Sequence, residues 1–153
     1  MSKAIRFKNN TYLDSSGIVH NKELLTNFLV DKIKSISKSI NISSTETWYD
    51  TGIKGNDLAD GTYIMQVYIN SWEANSQYRE YLSGVVAWYS GTTNSLNADE
   101  IPLSKSGHAR NNHNIKLRIL RQGGSNDYTK LQICDSIAWS GYGTISFKFR
   151  KLI

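Results

Sequence analysis

The chain has 153 residues, enough for one ordinary domain with a small appendage and too few for two full-sized cores. Hydrophobic residues make up 39% and aromatic residues 11%, including four Trp and nine Tyr, which argues against disorder over most of the length. The formal net charge of +5 is scattered, with no basic run of five or more, so nucleic acid is not an expected partner.

Residues 4 to 20 carry short apolar pieces at Ile5 and Phe7, Tyr12 and Leu13, and Ile18 and Val19. Turn residues separate them, at Asn9-Asn10 and Asp14 to Gly17. This reads as a small β-meander or extended lead-in, too short to fold alone. We assign residues 1–20 to a separate N-terminal segment.

Residues 21–42 carry the strongest helical pattern. Asn21 can cap the first turn, Glu23 sits where the helix dipole favours a negative charge, and neither Pro nor Gly interrupts. Leu29, Ile33, Ile36 and Ile40 follow a 4-3-4 spacing, the a/d rhythm of a coiled coil. Isoleucine at both core positions disfavours two strands and shifts preference toward trimers or tetramers. Leu25, Leu29, Ile33, Ile36 and Ile40 are therefore the expected oligomerisation residues. The competing reading is an amphipathic helix lying on the core of its own domain.

From residue 46 to residue 153 the period changes to two. Tyr63, Met65, Val67 and Ile69 alternate with Ile64, Gln66, Tyr68 and Asn70. Ile115, Leu117 and Ile119 alternate with Lys116, Arg118 and Leu120, and Ile145, Phe147 and Phe149 with Ser146, Lys148 and Arg150. Each is a strand with one buried face. Further strands are expected around Trp48 to Ile53, across Tyr78 to Tyr89 and along Tyr128 to Cys134. Gly and Asn punctuate the gaps, and the pattern predicts an antiparallel, jelly-roll-like β-sandwich. Residues 90 to 114 read as one long polar loop containing Pro102, the only proline.

No catalytic signature is present: no Gly-x-Ser-x-Gly, Walker loop, Cys-x-x-Cys or His-Glu-x-x-His. Asp99 and Glu100 adjoin, but neighbours on an extended chain point to opposite faces, so they are not a facing carboxylate pair. His108 and His113 are weak metal candidates, since a loop does not bring an i, i+5 pair onto one face. No cofactor, metal or catalytic residue is expected. Cys134, the single cysteine, has no activating motif and reads as an inert strand residue.

The positive chemistry is aromatic. Trp72, Trp139 and Tyr142 lie in polar surroundings at strand ends, where a ring can stack on the apolar face of a sugar while amides and carboxylates bond its hydroxyls. Asp99, Glu100 and Arg110 complete the candidate ligand-binding set. The bland alternative is that each Trp plugs an end of the sandwich. The N-terminus lacks the apolar region of a signal peptide, and no stretch approaches the ~18 apolar residues of a membrane span. Synthesis in a cytoplasm without membrane insertion is expected.

Two phrases carry a resemblance. Ile5 to Asn21, with Tyr12-Leu13-Asp14-Ser15 and Val19-His20-Asn21, resembles the lead-in of short bacteriophage and prophage tail-fibre or spike proteins. Trp48-Tyr49-Asp50-Thr51-Gly52-Ile53 through Gly61 to Tyr68 looks like the opening of their C-terminal sandwich. Trp88 to Gly91, Asp99 to Leu103, Gly107-His108-Ala109 and Phe147 to Ile153 are similar to the same group. The resemblance implies a virion protein that attaches to a host cell surface or joins other virion proteins in a tail fibre, baseplate or head fibre; the third reading is an enzyme acting on surface polysaccharide, which would need a site shared between subunits. The resemblance further implies a homotrimer, attachment to other virion proteins through residues 1–20, and release by lysis. No ligand-binding residue is carried over by it.

Overall fold

The computed structural model describes residues 5–7, 10–13, 33–73, 76–90, 96–106, 113–121 and 129–152. They fall into two compact units, residues 1–33 and 34–153. In the first, β1 (Ile5–Phe7) pairs antiparallel with β2 (Asn10–Leu13), Phe7 opposite Asn10. The described part of the lead-in is thus a pair of short antiparallel strands.

The second unit is built from β3 (Ile33–Ile40), β4 (Tyr49–Lys54), β5 (Gly61–Glu73), β6 (Ser76–Trp88), β7 (Asn97–Glu100), β8 (Leu103–Ser106), β9 (Lys116–Arg121), β10 (Thr129–Cys134) and β11 (Gly143–Lys151). One sheet has the order β3-β11-β5-β6-β8 and the other β4-β10-β9-β7. Both are antiparallel wherever the pairing is recorded. Their inner faces share one hydrophobic core, with Met65, Val67, Ile69, Ile145, Phe147 and Phe149 from the first sheet and Ile53, Leu117, Ile119, Leu131 and Ile133 from the second. The expected mainly β sandwich is present at the level of two antiparallel sheets around one core.

The helix is not. Ile33–Ile40 forms a strand at the edge of the five-stranded sheet, beside β11. The segment Ile-Lys-Ser-Ile-Ser-Lys-Ser-Ile carries two periods at once: isoleucines at a heptad spacing and serines at every second position. Serine and β-branched isoleucine are weak helix formers, and isoleucine is a strong strand former. Pairing with β11 then decides the matter. Ile40 is buried in the core and Ile36 packs against it, while Ile33, in phase with Ser35 and Ser37, is exposed. A heptad seam would have placed Ile33 with Ile36 and Ile40; the strand separates them. Leu25 and Leu29 lie outside the described residues.

The long loop expected over 90 to 114 contains two strands, β7 and β8, on opposite sheets. Both are short, and β7 has no buried residue, so no apolar alternation announced them. Gly84 admits β8: a Cβ there would come within 2.7 Å of the Pro102 carbonyl oxygen, beside the Gly84–Leu103 register pair. Gly143 serves the other end. A Cβ on it would meet the Trp139 ring at 2.5 Å and the Ser71 side chain at 2.7 Å.

Asp60 ties the start of β5 to the end of β6, accepting from the Ser90 N–H (2.7 Å) and hydroxyl (2.6 Å). These bonds hold its carboxyl below the usual range. With the folded value depressed, the contribution is present above the unfolded carboxylate pKa and is lost as pH falls through the folded one.

The two faces of β11 give a direct check. Phe147→Ala is expected to lower the unfolding free energy by about 3–5 kcal/mol, and Lys148→Ala to stay within about 0.5 kcal/mol of wild type. Urea unfolding followed by Trp fluorescence measures both; equal losses would mean that the alternation is misassigned.

Candidate functional site: the outer face of the five-stranded sheet

Register along β5 fixes which residues share the outward face. Asn70 stands opposite Arg79 and Thr144, Tyr68 opposite Tyr81 and Ser146, Gln66 opposite Ser83 and Lys148, and Ile64 opposite Val85 and Arg150. Because side chains alternate strictly along a strand, these cross-strand rows form one continuous surface. Trp72 and Gln77 extend it at one end.

That end presents two exposed aromatic rings. Trp72 is 49% exposed and Tyr142, directly before β11, is 74% exposed. The 140–142 turn is held to β5, since the Ser140 N–H and hydroxyl both donate to the Trp72 carbonyl oxygen, at 2.8 and 3.0 Å. Beside Trp72 runs a polar chain: Arg79 Nη2 donates to Gln77 Oε1 at 2.7 Å, and Gln77 Nε2 donates to Asn70 Oδ1 at 2.7 Å. Each amide is thereby oriented, while its remaining donor and acceptor capacity stays available.

Further along, the Tyr68 and Tyr81 rings lie 4.7 Å apart at a 35° tilt. They border a groove of about 530 Å³ whose other walls include Ser37, Gln66, Ser83, Ser146 and Lys148. The Ser37 and Ser146 hydroxyls are 2.8 Å apart. A second hollow, about 460 Å³, adjoins it at Ile64, Val85 and Pro102. The surface combines flat rings, amides, hydroxyls and short apolar side chains, the combination that accommodates a sugar chain.

The other sequence candidates lie elsewhere. Trp139 is 4% exposed and closes the end of the core, its indole Nε1–H donating to Asp135 Oδ2 at 2.8 Å. Asp99 and Glu100 are on β7 of the opposite sheet, registered with Ile119 and Arg118 and so facing opposite sides, as an extended chain requires. Asp99 is ion-paired to Arg121 at 3.2 Å. Arg110 and His108 lie outside the described residues. Trp72, expected in a loop, is inside β5, which runs through the polar Asn70-Ser71-Trp72 stretch because β6 pairs with it along its full length.

His113 is buried in a polar cluster that the sequence did not announce. Its Nδ1 lies 2.6 Å from Asp135 Oδ2, and its ring stacks on Tyr78 at 3.8 Å. The Tyr78 hydroxyl donates to the buried Glu80 carboxylate, and burial, followed by that bond, pushes the phenol far above its ordinary pKa. Asp135 also accepts from the Ile137 N–H at 3.2 Å. A His–Asp pair invites a catalytic reading, but a general base must reach the proton that it removes. The His113 and Asp135 side chains are both 0% exposed, so the pair acts as a strut between strand ends. Among the described residues, no group of three His, Cys, Asp or Glu side chains is arranged to hold a metal. Cys134 is buried, and that burial, with the Glu46 charge next, raises its thiol pKa; little thiolate forms at neutral pH.

Comparison with protein-family models, curated proteins and solved structures finds no match to this chain.

Asp135 is the member on which most of the cluster converges. Asp135→Ala removes the acceptor of Trp139, Ile137 and the His113 contact, and is expected to cost about 3–5 kcal/mol, as breaking a buried pair does. Denaturant unfolding of this variant against Asp99→Ala, whose exposed ion pair contributes about 0–1 kcal/mol, measures the contrast.

Proposed function

We propose that the chain is a bacteriophage fibre or spike protein that attaches to host cell-surface glycan through its β-sandwich. On this reading it is a virion component and a binding protein, not a catalyst. Residues 1–20 join it to other virion proteins, and three copies assemble together. The observation that carries the reading is the pair of exposed rings, Trp72 and Tyr142, set at one end of an outward sheet face and flanked by the Asn70–Gln77–Arg79 chain. The phrases at Ile5 to Asn21 and Trp48 to Tyr68 supply the viral context.

Half-exposed Trp beside oriented amides is costly to display without a ligand, because exposed apolar area and ordered polar side chains both oppose stability. Threefold assembly suits the role, since linked weak sites raise overall binding by about 10² to 10⁴ without new contacts.

A glycan array probed with the intact chain tests the reading. Binding is expected, with Trp72→Ala and Tyr142→Ala each weakening it by about tenfold, equivalent to ~1.4 kcal/mol, while leaving the unfolding midpoint unchanged. An array with no positive spot, at a concentration where the protein is folded, removes the adhesion reading in favour of a contact between virion proteins. Light scattering addresses assembly separately. A trimer mass is expected for the intact chain and a monomer mass for Leu25→Asp with Leu29→Asp; a monomeric intact chain removes the trimer.

A further inference from the structure

The two outward faces of the sandwich treat charge differently. On the four-stranded sheet the cations are partnered: Lys116 with Glu46 at 3.6 Å and Lys130 with Asp50 at 3.4 Å. Arg118 lies over the Trp48 ring at 4.2 Å and donates to Gln132. Arg121, at the rim, is paired with Asp99. On the five-stranded sheet, Arg79, Lys148 and Arg150 are exposed, and no recorded ion pair among the described residues involves any of them. The rows of that face from Asn70 to Ile64, with their partners on β6 and β11, contain no Asp or Glu.

The three cations are spaced along the surface and do not form a cluster. Arg79 is level with Asn70, Lys148 with Gln66 and Arg150 with Ile64. At about 3.3 Å per residue, the first two are roughly 13 Å apart along the strand and the last two roughly 7 Å. From Trp72 to Ile64 the face runs for about 26 Å, longer than any single sugar ring. Between the cations stand the Tyr68–Tyr81 pair and the groove bordered by Ser37, Ser83 and Ser146.

We infer that this face binds an acidic polysaccharide lengthwise, with Arg79, Lys148 and Arg150 meeting carboxylates spaced along the polymer and Trp72, Tyr68 and Tyr81 meeting ring faces. The inference rests on the glycan-binding reading above and assigns its ligand class. Charge complementarity carries it: three cations with no ion pair among the described residues, in rows that hold no Asp or Glu, repel a cationic partner and attract an anionic one. Hydroxyls and amides outnumber cations along the groove, which suits a polymer with one charge among several hydroxyls per unit. Arg79, already fixed by Gln77, presents its guanidinium edge for a carboxylate.

The test uses the intact chain and four immobilised polymers: polygalacturonate, the same polymer with its carboxylates methyl-esterified, polyglycerol phosphate and single-stranded DNA. Polygalacturonate is expected to be held most tightly, about tenfold more tightly than its ester, with affinity falling as salt rises. Lys148→Gln with Arg150→Gln is expected to abolish that difference while leaving the unfolding midpoint in place. Equal binding of acid and ester, unchanged in the double variant, overturns the inference and leaves the glycan reading standing. Tightest binding of polyglycerol phosphate or DNA overturns the carboxylate assignment. Retention of neither sugar polymer removes both readings.

Discussion

The pairing of β5, with β6 along its whole length on one side and with β11 over residues 63–70 on the other, is the constraint on which the rest of this molecule depends. A strand hydrogen-bonded on both edges cannot slip by one residue without turning every inward side chain outward. Here that slip would expose Met65, Val67 and Ile69 and bury Gln66, Tyr68 and Asn70. The core penalty therefore locks the outer face as firmly as the inner one. The surface residues need no local device to hold their order, because it follows from the burial of their neighbours.

The same constraint explains why the polar cluster at one end of the sandwich is tolerated. Tyr78 and Glu80 are inward residues of β6, placed inside by the register that buries Leu82 and Val86. The Tyr78 hydroxyl meets one oxygen of the Glu80 carboxylate, and Asp135, His113 and Trp139 bond and stack beside it, while Glu80 Oε1 has no hydrogen-bond partner among the described residues. Such networks contribute little net stability but penalise alternatives heavily, since any rearrangement strands a buried polar group. Gly143 belongs to this arrangement, because only the absence of a side chain lets Trp139 lie over β11. The end of the sheet that carries Trp72 and Tyr142 outside is thus the end braced by Trp139 and Asp135 inside.

Charge divides between the faces for a related reason. Acidic side chains cluster near bases on the four-stranded sheet, where Glu46, Asp50 and Asp99 neutralise what they touch. On the five-stranded sheet the corresponding positions are Ser, Gln, Asn and Tyr, which leave the cations available. The scattered net charge of the sequence is therefore organised in space, with one face balanced and the other positive.

Several features could be read directly from the chain. The alternation at Tyr63 to Asn70, Lys116 to Leu120 and Ile145 to Arg150 identified strands and their buried members, because burial against a core imposes a period of two wherever one face is wet. The inertness of Cys134 and the opposed faces of Asp99 and Glu100 also followed from local chemistry. What local pattern left open was any segment compatible with two periods or with none. Ile33 to Ile40 suits both a heptad and a strand, and only the β11 edge decided between them. The β7 and β8 strands have almost no apolar signal and exist because neighbouring strands offer them hydrogen bonds. The outer face of the five-stranded sheet was legible residue by residue in Gln66, Tyr68, Lys148 and Arg150, yet not as a surface. Its rows join residues some 80 positions apart, and that adjacency is set by strand pairing, which sequence distance does not encode.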